Sequence, residues 1–120
     1  NIWKLSTASA DGGQDAIIKT TVGTADKYKT KFTHPNSFSS SPSLSDTVTW
    51  GGSTVYSSGS VAGMSAYESG KTVVGNETTF DMTLAGTTFF TVASTASYGY
   101  NRAFPSGSYT ANIVALCVAK

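Results

Sequence analysis

Lys27-Tyr28-Lys29-Thr30-Lys31-Phe32-Thr33 alternates without a break. Tyr28, Thr30 and Phe32 fall on one side of an extended chain, and Lys27, Lys29 and Lys31 on the other. That is the period of two expected of a strand half buried in a sheet. Residues 78–84 repeat the pattern, with Phe80, Met82 and Leu84 inward and Thr79, Asp81 and Thr83 outward. Between them, Thr47-Val48-Thr49-Trp50-Gly51-Gly52-Ser53-Thr54-Val55-Tyr56 reads as two strands about a Gly-Gly turn. A type I′ hairpin needs positive φ at both central residues, which two glycines supply. This register pairs Trp50 with Ser53 and Val48 with Val55, and it puts Val48, Trp50 and Val55 on the core face.

The same β-branched and aromatic signal marks residues 16–22, 72–74, 88–95 and 108–119 as strands. Asp11-Gly12-Gly13-Gln14, Gly75-Asn76 and Ala85-Gly86 read as turns. Residues 34–45, with two prolines and six serines, read as a surface loop, and 97–107 as a second one. The one helical candidate, 61–68, would set Val61, Met64 and Ala66 or Tyr67 on one face. Gly59, Gly63 and Gly70 interrupt it and argue against a stable helix. Eight or nine short strands at this spacing predict an all-β fold: an immunoglobulin-like or jelly-roll-like β-sandwich forming a single domain over residues 1–120.

The final strand stands apart. Val114, Leu116 and Val118 lie on one face, and Ile113, Ala115 and Cys117 on the other. A strand apolar on both faces has to be covered on both, by its own chain or by another.

Composition narrows the function classes. The 120 residues include 18 serines, 18 threonines and 12 glycines, but only 15 charged side chains, for a net charge of +1. That balance argues against a disordered chain and against a nucleic-acid binder. The longest apolar run, 113–119, is far short of the ~20 residues of a membrane helix. Asn1-Ile2-Trp3-Lys4 does not read as a secretory leader. Cys117, the only cysteine, forbids an internal disulfide and reads as a small hydrophobe. His34, the only histidine, precedes Pro35 in a loop with no nucleophile or ligand set beside it. No elbow, Walker or dinucleotide motif occurs, and no paired-carboxylate or calcium-loop spacing is assignable. The expectation is a protein that is not an enzyme and needs no cofactor or metal.

Two surface features are candidates for binding. Lys27, Lys29 and Lys31 form a basic stripe, read first as solubilising. Tyr98, Tyr100, Arg102 and Phe104 form an aromatic loop of the kind that stacks on sugars or receptors. Asn76-Glu77-Thr78 matches a glycosylation acceptor.

Pro105-Ser106-Gly107-Ser108-Tyr109-Thr110-Ala111 running into an apolar final strand resembles the closing segment of chaperone–usher fimbrial subunits. Residues 47–56 resemble the mid-chain hairpin of the colonisation-factor type, and Phe80-Asp81-Met82-Thr83-Leu84 its next strand. The resemblance implies an incomplete sandwich completed by a strand from a neighbouring copy. Residues 1–9, with Trp3, Leu5 and Thr7 alternating, would be the donor, and Ile113, Val114, Leu116 and Val118 would border the acceptor groove. It also implies an extracellular, cell-surface appendage built from copies of the chain, with a host-surface glycan or receptor as a further partner. Residues 49–59 also resemble a hairpin phrase of phage tail-fibre proteins, which implies a virion component (tail fibre, capsid or decoration subunit). A carbohydrate-binding sandwich using the 98–104 loop is the third expectation.

Overall fold

The computed structural model describes residues 2–120, so Asn1, the first residue of the expected donor segment, lies outside the described residues. Eight strands among these residues form two four-stranded antiparallel sheets. They are β1 (Ile2–Ser6), β2 (Ala16–Val22), β3 (Tyr28–Thr33), β4 (Thr49–Gly59), β5 (Thr72–Val74), β6 (Glu77–Met82), β7 (Gly86–Tyr100) and β8 (Val114–Ala119). The protein is an all-β sandwich.

The first sheet is built around β7. One long edge of β7 carries β2 and β1 end to end, and the other edge carries β4. The second sheet runs β5-β6-β3-β8. Alternation sets the core as the sequence implies. Thr30 and Phe32 of β3 lie opposite Phe80 and Thr78 of β6, and all four are buried. From β7, Thr88, Phe90 and Val92 meet them. The Phe32, Phe80 and Phe90 rings sit 4.4–5.9 Å apart in tilted and edge-on pairs, a geometry that aromatic quadrupoles favour.

Four expectations are corrected. Gly51-Gly52 is not a turn: both glycines lie inside β4, which pairs with β7 along its length, and neither has positive φ. Trp50 and Val55 therefore face opposite ways, because strand side chains alternate. Trp50 is half-buried, and Val55 is 37% exposed. The glycine at 52 answers a close approach instead, since a Cβ there would lie 2.6 Å from His34 Nδ1.

Second, β7 runs through to Tyr100, which places Tyr98 and Tyr100 in a strand and not in a loop. Pairing with β1, which reaches Ile2 opposite Tyr100, keeps this end extended. Third, residues 62–70 are helical: a 3-10 turn (Ala62–Ser65) leads into α1 (Ala66–Gly70). Burial of Met64 and Tyr67 outweighs the glycine interruptions, and the Tyr67 hydroxyl ties the turn to Leu84, accepting its N–H at 3.1 Å. Fourth, the last strand begins at Val114, and residues 108–113 precede it as loop.

Candidate functional site

All six residues of β8 are exposed. One edge pairs with β3, and the other meets no strand among the described residues. Directly opposed residues in an antiparallel pair share a face. Ala115 and Cys117 lie opposite the buried Phe32 and Thr30, so they belong to the inner face and yet remain uncovered. Val114, Leu116 and Val118 lie opposite Thr33, Lys31 and Lys29 on the outer face and are 53%, 49% and 36% exposed. The strand is thus open on two faces and one edge, the situation that strand addition resolves.

Of the four acceptor residues expected from sequence, Ile113 alone packs against the core. The inner-face residues are Ala115 and Cys117, which the sequence placed on the second apolar face without counting them among the acceptor residues, and Ala119. Their small size is the signal that was available.

Trp3, Leu5 and Thr7 are placed beside β7 of the same chain. Leu5 pairs with Ala96 and is half-buried, Trp3 is 52% exposed, and the Thr7 N–H donates to the Ser94 carbonyl at 3.0 Å. Little side-chain burial holds β1. Its polar ties are the exposed Lys4–Asp11 pair at 3.0 Å and a Ser6–Asp11 hydrogen bond at 2.7 Å. Those two contacts hold the Asp11 carboxyl below its ordinary range, the Ser6 hydroxyl first and Lys4 next. Between β1, β7 and the 109–113 segment lies an apolar groove of about 460 Å³, lined by Leu5, Phe38, Trp50, Ala96, Tyr109 and Ile113.

Phe38, placed by its sequence in a soft loop, is the centre of a second aromatic cluster. Its ring lies 4.6 Å from Trp50, 5.2 Å from Tyr109 and 6.4 Å from Phe104. Phe104 in turn stacks on Tyr98 at 4.6 Å. Tyr98 is buried, and its hydroxyl accepts the Ser45 N–H at 3.0 Å. Arg102 lies 3.8 Å from Asp46, and Tyr100 is 71% exposed. The four residues of the expected ligand loop therefore do not share one surface, and two of them plug an end of the sandwich.

The lysine stripe is paired with acidic residues only in part. Lys31 pairs with Glu77 at 3.2 Å, and Lys29 lies opposite Asp81. The Lys120 ammonium bonds both Asp26 and Asp81 beside them and holds the Asp26 carboxyl below its usual range. Because β3 is an interior strand, the lysines guard no edge. The glycosylation match is structural as well. Asn76 Nδ2 donates to the His34 carbonyl at 2.7 Å, and Thr78 is buried.

His34 is not a solvated loop residue. It is buried, its Nε2 lies 3.0 Å from Thr54 Oγ1, and its Nδ1 has no hydrogen-bond partner among the described residues. Burial pushes its pKa below the usual imidazole range. The sign follows from linkage. The folded state binds this proton less readily, so the contribution is complete above the unfolded pKa of about 6.5 and is lost as pH falls below it. Urea unfolding at about pH 7.5 and pH 5 should show wild type losing more stability on acidification than His34→Gln. Equal losses would place the acid sensitivity in the carboxylates alone.

No family model, curated protein or solved structure matches the chain.

Proposed function

We propose that the protein is a non-enzymatic structural and adhesive subunit of a self-assembling surface filament. Each copy completes its neighbour by strand complementation at β8. The observation that supports this reading is the strand apolar on both faces and left uncovered, with Val114, Leu116 and Val118 on one side and Ala115, Cys117 and Ala119 on the other.

The donated strand in this reading is the segment through residue 9. Its large alternate residues, Trp3 and Leu5, complement the small inner-face residues Ala115, Cys117 and Ala119. Leaving β7 for the next copy's β8 exchanges one set of backbone hydrogen bonds for another. The gain is the apolar surface of β8, at about 25 cal/mol per Å² removed from water. Filaments of this kind are extracellular.

Deleting residues 1–9 should abolish polymerisation, read by negative-stain electron microscopy, while circular dichroism keeps its β signature. Cys117 gives an independent readout: its thiol should react with a maleimide in the monomer and be protected in the fibre. Unchanged assembly after the deletion, or an equally reactive thiol in the fibre, would sink the mechanism.

A further inference from the structure

At the β5 edge of the second sheet, the opposite end of the strand order from β8, the sandwich holds a second cavity. Its volume is about 380 Å³, within the range of small-molecule sites. His34, Asn36, Trp50, Gly52, Val73 and Asn76 line it. We propose that this cavity binds an uncharged sugar, the terminal neutral residue of a glycan.

The chemistry of the lining selects that class. No Asp, Glu, Lys or Arg borders the cavity among the described residues, so nothing there favours an ionic ligand. Carboxamides supply both donors and acceptors, which a ring of hydroxyls needs. Asn76 is oriented by its bond to the His34 carbonyl, so its carboxamide is held before any ligand arrives. Asn36 is exposed, and neither its side chain nor the Trp50 indole N–H has an internal partner among the described residues.

The apolar half of the site matches the C–H face of a sugar ring. Val73 belongs to the inner face of β5, opposite the buried Thr78, yet is 60% exposed and lines the cavity. Trp50 supplies the aromatic surface. Gly75, with nothing within 4 Å of where its Cβ would stand, lets a ligand approach main-chain groups. Beneath Gly52 lies His34, 95% buried, whose ring forms part of the floor of the site while its Nδ1 is covered by the glycine.

The site stands independently of the filament reading, and either can fail alone. Because it lies away from β8, assembly through β8 leaves one such cavity open on every copy. Millimolar single-site binding then becomes useful through multivalency.

The test is a titration of the ¹⁵N-labelled full chain with methyl β-galactoside, methyl α-mannoside and N-acetylglucosamine, followed by amide and side-chain shifts. N-acetylneuraminic acid and inorganic sulfate are the anionic controls. At least one neutral sugar should give saturable shifts at the Gly51, Gly52 and Gly75 amides, the Asn36 carboxamide and the Trp50 indole N–H. Asn36→Ala, at an exposed side chain without internal partners, should fold normally and weaken that binding by about tenfold. Four results would each overturn the proposal: no saturable response to any neutral sugar, shifts mapping elsewhere, equal shifts from the anions, or unchanged affinity in the folded Asn36→Ala variant.

Discussion

Phe90→Ala is expected to cost about 3–5 kcal/mol, the usual loss for a large aromatic side chain removed from a closed core. Phe90 is fully buried, and its ring meets Phe80 at 4.4 Å and Phe32 at 5.1 Å from the opposite sheet. It stands on β7, which pairs with three other strands, so the cavity would open where the two sheets are joined. Against a typical total stability of ~5–15 kcal/mol, such a loss brings the fold near its limit. Trp50→Ala is the comparison. That ring is larger but half-buried in the satellite cluster around Phe38, so about half the loss is expected. Urea denaturation of both variants reads the difference. Equal losses would merge the two clusters into one core, and a Phe90→Ala loss under about 1 kcal/mol would contradict the packing described.

The core was legible because alternation alone identifies it. Phe32, Phe80 and Met82 sit at every second position of uninterrupted strands, and such a pattern has one stable orientation once a face is buried. The turns at Gly75 and Gly86 were legible for a similar reason: both take positive φ, at +59° and +136°. Gly51-Gly52 misled because a glycine has two uses that one sequence does not separate. It supplies positive φ in a turn, and it leaves room for another group within a strand. The group that needs the room is His34, eighteen positions earlier, and no local pattern reports that contact. The helical turn at 62–70 was half legible: the spacing of Met64 and Tyr67 offered it, the glycines argued against it, and tertiary burial of those two side chains decided it.

The assembly surface was half legible. Sequence marks 113–118 as apolar on both faces, but it does not say which face meets the core or that neither is covered. Pairing with β3 supplies the first, and the absence of a strand beyond β8 among the described residues supplies the second. The cavity near Trp50 was not legible at all. It joins Asn36, Trp50, Val73 and Asn76 from three separate stretches, each unremarkable by itself.

Two adjacent glycines therefore separate the strand reading from the turn reading by experiment. Gly52→Ala is expected to cost about 2–3 kcal/mol, through overpacking and a disturbed His34–Thr54 hydrogen bond. Its Cβ would lie 2.6 Å from His34 Nδ1 and 3.0 Å from both the His34 Cγ and the Ala93 carbonyl oxygen. His34 has nowhere to retreat. Its N–H donates to the Asn76 carbonyl at 2.8 Å, its carbonyl accepts from Asn76 Nδ2 at 2.7 Å, and its Nε2 is engaged with Thr54. Gly51→Ala meets only the Thr95 hydroxyl at 2.8 Å, the end of a side chain that can rotate. Its expected cost is within about 0.5 kcal/mol, because the backbone there is already extended and alanine loses less entropy than glycine on folding. A type I′ turn would penalise both substitutions alike, since each position would need positive φ. Chemical denaturation of the two variants decides between the readings. In the double variant Gly52→Ala/His34→Ala the overpacking part of the Gly52→Ala cost should vanish, which a thermodynamic cycle reads as a favourable coupling between the two sites. Strict additivity would show instead that the Ala93 carbonyl, and not the imidazole, is what keeps position 52 a glycine.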